Sequence, residues 1–341
     1  MRRFAVLTSL FVAALGCKHD PSGSPARAKS SATATASIAE VSSAEPSLSA
    51  SASANPPSDA GGTPPSAPDP HRYRWLAADN LNFPAAVDSL EARFPTPPGY
   101  TRIALPPGSF GGWLRGLPLA AAGARVLNNS GDAAFAADDD YVAAVVAIDV
   151  GAGDLQQSAD AVVRLHSEWL WSNDQRDAIG YRSSTKLDMP FSRWARGQRL
   201  LASGPNVFWV VKTKPHEPSY TDFRQYIDAV MLWSNNVSLA ARAKHVEDPA
   251  ELTAGDFFLQ ARGKGHAILV LDVAQKPTGE RVALLGQALQ SPAQSIHVMR
   301  LGHETAWFSL RPPNPVLTPR ADEFSWHDLE RLAPLEPKKG E

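Results

Sequence analysis

The sequence predicts an α+β fold, and three observations carry that expectation. Tyr141–Val150 is apolar and β-branched on both faces; helical patterns begin near Asp154 and Thr221; and beyond Gly255 the apolar residues fall into short runs separated by Gly, Pro and Lys. Helices followed by an antiparallel meander fit α+β better than the alternating βα units of a doubly wound sheet.

Taken in order, Tyr141–Val150 lies between the turn-forming Asp138, Asp139 and Asp140 and Gly151, and reads as a buried strand. Asp154 and Gln157 have the spacing of a capping box, and Leu155, Val162, Leu165 and Trp169 recur at helical intervals, so a helix is expected from Asp154. A second helix is expected from Thr221 to about His245, with Phe223, Ile227, Val230 or Met231, and Val237 as its apolar stripe. Gly111-Gly112 with Trp113-Leu114-Arg115 reads as a loop, in which Trp113 and Arg115 could line a cleft. Strands are expected at Asp256–Leu259, His266–Val273, Arg281–Leu289 and Ile296–Leu301, and Pro277-Thr278-Gly279 is a hairpin connection.

The chain has 341 residues, with 33 Lys+Arg against 35 Asp+Glu. That balance argues against nucleic acid as a partner, because phosphate binding needs a basic surface. A lone cysteine, Cys17, excludes disulfide frameworks and cysteine-ligated zinc. Arg2 and Arg3 precede an apolar stretch from Phe4 to Leu15, too short to span a bilayer. Ala14-Leu15-Gly16-Cys17 looks like a bacterial lipobox, so residues 1–17 read as a lipoprotein signal peptide with Cys17 as the lipidated residue. This places the protein at the bacterial cell envelope, facing the periplasm or at the outer membrane, held to the membrane by its lipid. Residues 18–70 are rich in Ser, Ala and Pro and contain no Trp, Tyr or Phe. They read as a disordered tether with a reach of roughly 40 Å. All nine Trp fall between Trp75 and Trp326, which delimits a single globular domain over residues 71–335 and leaves 336–341 as a polar tail.

No G-x-S-x-G elbow, P-loop, dinucleotide fingerprint or H-E-x-x-H helix is present, and no cofactor is expected. What remains is a constellation. Ser158 falls in the first turn of the helix opened by Asp154, where free N–H groups and the helix dipole favour developing negative charge. His266 begins one downstream strand, and Gln287 interrupts the apolar run of the next, where it could orient an imidazole. A nucleophile on a helix start, a base on one strand and a polar orienter on the next is the logic of papain-like enzymes. Bland roles stand beside these: Ser158 as a small packing residue, Asp160 with Arg164 as a helix ion pair, and Gln294 and Trp113 as structural residues.

Phe110–Leu119, Ile148–Gly151, Asp154–Asp160, Gly263–Ile268 and Ser291–Gln294, in this order, resemble the bacterial family called domain of unknown function 4846, over nearly all of residues 73–326. The resemblance implies an exported, often lipid-anchored protein and assigns no activity. The segments around Ser158 and His266 are also similar, over a short span, to the NlpC/P60 amidase-type peptidases that cleave cell-wall peptides. That similarity implies a papain-like core in which the nucleophile-position helix packs on an antiparallel sheet, preceded by an N-terminal extension. In the family the position of Ser158 is usually cysteine, so this chain would be a serine-based or degenerate hydrolase acting on, or merely binding, peptidoglycan peptide. Asp160 and Gln294 would flank the cleft. The alternative is a non-catalytic lipoprotein that binds or assembles an envelope protein.

Overall fold

The computed structural model describes residues 68–78, 82–136, 139–262, 265–302, 305–319 and 323–333. Cys17, the lipobox, the tether through residue 67 and the tail 336–341 lie outside the described residues.

The chain is α+β, as expected. Nine strands form one sheet: β1 (Thr101–Arg102), β2 (Val142–Val145), β3 (Ala243–His245), β4 (Phe257–Leu259), β5 (Ala267–Gln275), β6 (Arg281–Gln287), β7 (His297–Met299), β8 (Trp307–Leu310) and β9 (Leu329–Leu332). Their order is β2-β7-β6-β5-β4-β9-β3, with β8 also on β6 and β1 also on β5, and every pairing is antiparallel. The β5–β6 hairpin turns at the expected place, closed by the Lys276 N–H bond to the Glu280 carbonyl at 2.9 Å.

Because strand side chains alternate, β5 supplies two cores. Ala267, Leu269 and Leu271 join the layer that holds the helices, while Ile268 and Val270 pack with Phe258, Phe308, Phe324 and Leu329 on the other face. A bulge between Val270 and Asp272 then reverses the phase, so that Val273 joins the second core and Ala274 the first. The bulge also buries Asp272, which accepts from Arg102 Nε at 2.6 Å and Arg115 Nε at 2.7 Å.

Two helices, α1 (Phe110–Arg115) and α2 (Ala159–Ser172), stand against the sheet at β5, and α3 (Tyr220–Trp233) packs on α2. The segment expected to be a loop at Trp113 is therefore α1, capped by Ser109 on the Gly112 N–H at 3.2 Å. Gly111 is required there, since a Cβ would lie 2.4 Å from the Ala254 carbonyl oxygen. The first expected helix starts later than Asp154, at Ala159, which leaves Leu155 outside it. The second stops at Trp233. Asn235 caps a further short helix, Asn236–Ala240, through a capping box with Ser238, and residues 243–245 are recruited into the sheet as β3, paired with β9. Helical periodicity continued through this break, but the caps and the sheet edge decided the structure.

Between α2 and α3, Trp171 stacks on Phe223 with centroids 4.6 Å apart. One turn away α2 buries His166 among Phe110, Trp169 and Tyr181, with Nδ1 3.0 Å from the Tyr181 hydroxyl. Burial, helped by the Arg242 charge, pushes the His166 imidazole from 6.5 down to about 3. The unfolded chain therefore takes up this proton first as pH falls, and the stability held by the neutral ring, complete above pH 6.5, is lost toward pH 3. At about 1.4 kcal/mol per pH unit, His166 is expected to remove about 2–3 kcal/mol between pH 6.5 and 4.5. Urea unfolding at pH 7, 5.5 and 4.5 checks this against His166→Phe, whose pH dependence should be flatter; equal slopes would mean the ring is protonated in the folded state.

Candidate active site

Ser158 is the N-cap of α2, one residue ahead of the expected first turn, and its backbone is unusual: φ is 47° and ψ is −110°. A side chain in that region costs about 1–3 kcal/mol, and such strain is held where surrounding bonds over-determine it. Those bonds are present. The Ser158 N–H donates to the Ala288 carbonyl at 2.9 Å, and its Oγ accepts from the Ala267 N–H at 3.0 Å. Helix α2 is thereby stitched to β5 and to the end of β6, and the hydroxyl is turned onto the first residues of β5.

There it meets His266. The Ser158 Oγ lies 3.1 Å from His266 Nδ1, and His266 Nε2 lies 2.7 Å from Gln287 Oε1. The two strand-borne residues meet because β5 and β6 are hydrogen-bonded neighbours. Gly265 permits the approach of the chain into β5, since a Cβ there would fall 1.8 Å from the Gln260 carbonyl oxygen. The Gln287 carbonyl can only accept, so His266 carries its proton on Nε2; Nδ1 is then an acceptor, and the Ser158 hydroxyl donates to it. A base with its lone pair on a hydroxyl and its far nitrogen held is poised to take a proton. Ser158, His266 and Gln287 are 5%, 4% and 3% exposed, a site largely screened from water.

One further polar residue joins them. Gln287 Nε2 lies 3.3 Å from His297 Nε2, across the β6–β7 pair in which Gln287 and His297 are register partners. His297 interrupts an apolar run in the sequence as Gln287 does, and that signal could have found it. The Ser158 N–H is committed to Ala288 and the Asp160 N–H to the Gln157 carbonyl. The Ala159 N–H between them has no partner among the described residues, and it stands directly after the hydroxyl-bearing residue.

The approach to α2 is tied down from both sides. Asp154 caps no helix; its carboxylate accepts from Gln157 Nε2 at 2.8 Å, Ser291 Oγ at 2.9 Å and the Ala293 N–H at 2.5 Å, and the Ala293 N–H leads the causes that lower its pKa. Gln156 Nε2 donates to the Gln294 carbonyl at 3.1 Å, which ties the Gln294 backbone to the loop before α2, while the Gln294 side chain is buried with no partner for Oε1 among the described residues. Asp160 does not pair with Arg164. Its carboxylate accepts the Gln157 N–H at 3.3 Å, and burial pushes it well above the usual carboxylate range. Arg164 instead reaches under the pre-helix loop. It bonds Glu168 at 2.9 Å, the Asp149 carboxylate at 2.5 Å and the Gln156 side chain at 3.3 Å. Arg224 takes the second Asp149 oxygen at 3.0 Å, and the Tyr220 hydroxyl donates to Glu168 at 2.7 Å. Against the cost of burial, Arg164 and Arg224 hold Asp149 down at about 2, whereas burial outweighs the same arginine at Glu168 and raises its pKa.

Trp113 and Arg115 are not part of this site. Trp113 packs against Tyr73 and Trp75, Arg115 is bound to Asp272, and the cleft of about 590 Å³ that both border holds none of Ser158, His266 and Gln287. Among the described residues no group of three or more His, Cys, Asp or Glu could hold a metal ion, and no helix is long and apolar enough to cross a membrane.

Fold and site together define an α+β domain with a buried serine–histidine–glutamine line. Residues 90–331 match the model of the family described as domain of unknown function (4846), and the chain belongs to that family. No curated protein and no solved structure matches it.

Proposed function

We propose that this is a lipid-anchored cell-envelope protein whose domain has a papain-like, NlpC/P60-like core and acts as a serine-based hydrolase on cell-wall peptide. The observation that carries the reading is the strained backbone of Ser158, which sets its hydroxyl 3.1 Å from a His266 nitrogen able to accept the proton. In acyl transfer the Ser158 oxygen bonds to the amide carbon as its proton passes to His266 Nδ1, with Gln287 holding the ring at 2.7 Å. The charge on the carbonyl oxygen falls to the Ala159 N–H and the positive end of α2, because the Ser158 N–H is already spent on Ala288. The protonated His266 then gives its proton to the departing amine, and a water activated by the same ring releases the acid. The envelope address rests on the Arg2-Arg3, apolar and Ala14–Cys17 segments and the polar stretch after them.

A fluorophosphonate probe is expected to label the full chain at Ser158, and peptidoglycan incubated with it should gain free amines. Ser158→Ala should abolish both. Labelling that survives this change places the nucleophile elsewhere. A second reading has its own observation: the Ser158 hydroxyl both donates and accepts within the protein and is 5% exposed, as befits a site kept for binding or assembly rather than turnover. Absence of labelling together with retained binding to peptidoglycan would establish that reading.

A further inference from the structure

We propose that His297 is a positioning residue for this site, which sets the direction of the Gln287 amide and through it the proton on His266. Its chemical consequence rests on the reading of Ser158 and His266 above; the arrangement itself does not.

A glutamine amide presents nearly the same shape either way round, so contact with His266 alone does not fix which end faces it. The two orientations have opposite effects. With Oε1 toward His266 Nε2, that nitrogen keeps its proton and Nδ1 is a base toward Ser158. With the NH2 end there, Nε2 must accept, the proton moves to Nδ1, and Nδ1 can no longer take the Ser158 proton. Something beyond Gln287 has to select the first arrangement.

His297 meets that requirement. Its Nδ1 lies 3.3 Å from the Ser295 carbonyl oxygen, which can only accept, so in the neutral ring Nδ1 carries the proton and Nε2 is an acceptor. That Nε2 lies 3.3 Å from Gln287 Nε2 and takes its N–H, leaving Oε1 to face His266. Direction therefore runs without a break from the Ser295 carbonyl through His297, Gln287 and His266 to the Ser158 hydroxyl. The His297 ring is held in place: it is buried, it pairs across β6–β7 with Gln287, and Phe135 meets it edge-on at 5.6 Å. A histidine oriented by an outer partner typically loses roughly 10- to 100-fold in function when that partner is removed, as at metal sites.

The test reads the rings directly. Long-range 1H–15N NMR of the full chain should show His266 protonated on Nε2 and His297 on Nδ1. The opposite tautomer on either ring overturns the proposal with no variant needed. In His297→Phe, which keeps a ring beside Phe135, His266 should become a mixture of tautomers. His297→Gln, which returns an acceptor near the position of Nε2, should restore the single form. In Gln287→Glu either carboxylate oxygen accepts, so His266 should stay Nε2-protonated whatever stands at 297. A folded His297→Phe with an unchanged His266 tautomer overturns the proposal. The thiol of Ser158→Cys, in a Cys17→Ala background, should alkylate roughly 10- to 100-fold more slowly with His297→Phe and recover with His297→Gln. If that thiol is inert even with His297 intact, the hydrolase reading fails, and the NMR result still decides the role of His297.

Discussion

Ser158→Cys is expected to produce a thiol that alkylates at pH 7 at least about ten times faster than a free cysteine of pKa about 8.5. Cys17→Ala is the proper background, since Cys17 is the chain's only other thiol. The cause is local: His266 Nδ1 stands 3.1 Å from the oxygen being replaced, and the residue sits at the positive end of α2. A thiolate paired with an imidazolium at a helix start is favoured by both charges. Adding His266→Ala should remove most of the gain. Thiolate absorbance followed against pH gives the same information without a reagent having to enter the site. A thiol with an ordinary pKa, or one indifferent to His266, would return Ser158 to the role of a packing residue.

Arg164→Met is expected to cost about 3–5 kcal/mol of folding stability. The substitution keeps a long apolar stem in place but removes the charge that Arg164 brings to two buried carboxylates, Asp149 at 2.5 Å and Glu168 at 2.9 Å, leaving Asp149 with Arg224 alone and Glu168 with only the neutral Tyr220 hydroxyl. Domains of this kind hold about 5–15 kcal/mol in all, so most of the margin would go. Urea unfolding at pH 7 measures it. By contrast, separating the exposed pair Lys276–Glu280 should hardly be felt, because solvent screens it. A loss under about 1 kcal/mol in Arg164→Met would mean that water or a protonated carboxyl takes over the missing charge.

Much of this arrangement was legible in the residues. Strand patterning located β4, β5, β6 and β7 to within a residue or two, because each is apolar on both faces and bounded by turn formers. The spacing of Ser158, His266 and Gln287 along a helix start and two consecutive strands was enough to bring them together. Periodicity was a poorer guide to element ends. Asp154 had the spacing of a cap, but its carboxylate serves the loop at Ser291 and Ala293 instead, and Asn235 broke a helix whose apolar stripe ran on past it. Gly111 and Gly112 suggested a loop at Trp113, where the first is required by the Ala254 carbonyl and the segment is helical. The Asp149–Arg224 and Arg102–Asp272–Arg115 ion pairs were hidden for a different reason. Their members are up to 170 residues apart, and nothing local reports which buried charges will meet.

The separation of the site residues along the chain has a consequence in time. Ser158 and His266 lie 108 residues apart, and Gln287 and His297 follow later still. During synthesis the serine leaves the ribosome long before its base exists, and the two come together only when β5, β6 and β7 have closed on one another, a slow kind of step because its contacts are non-local. An unfinished, truncated or unfolded chain therefore carries an ordinary alcohol at residue 158. Reactivity, under the reading proposed here, arrives only with the completed sheet.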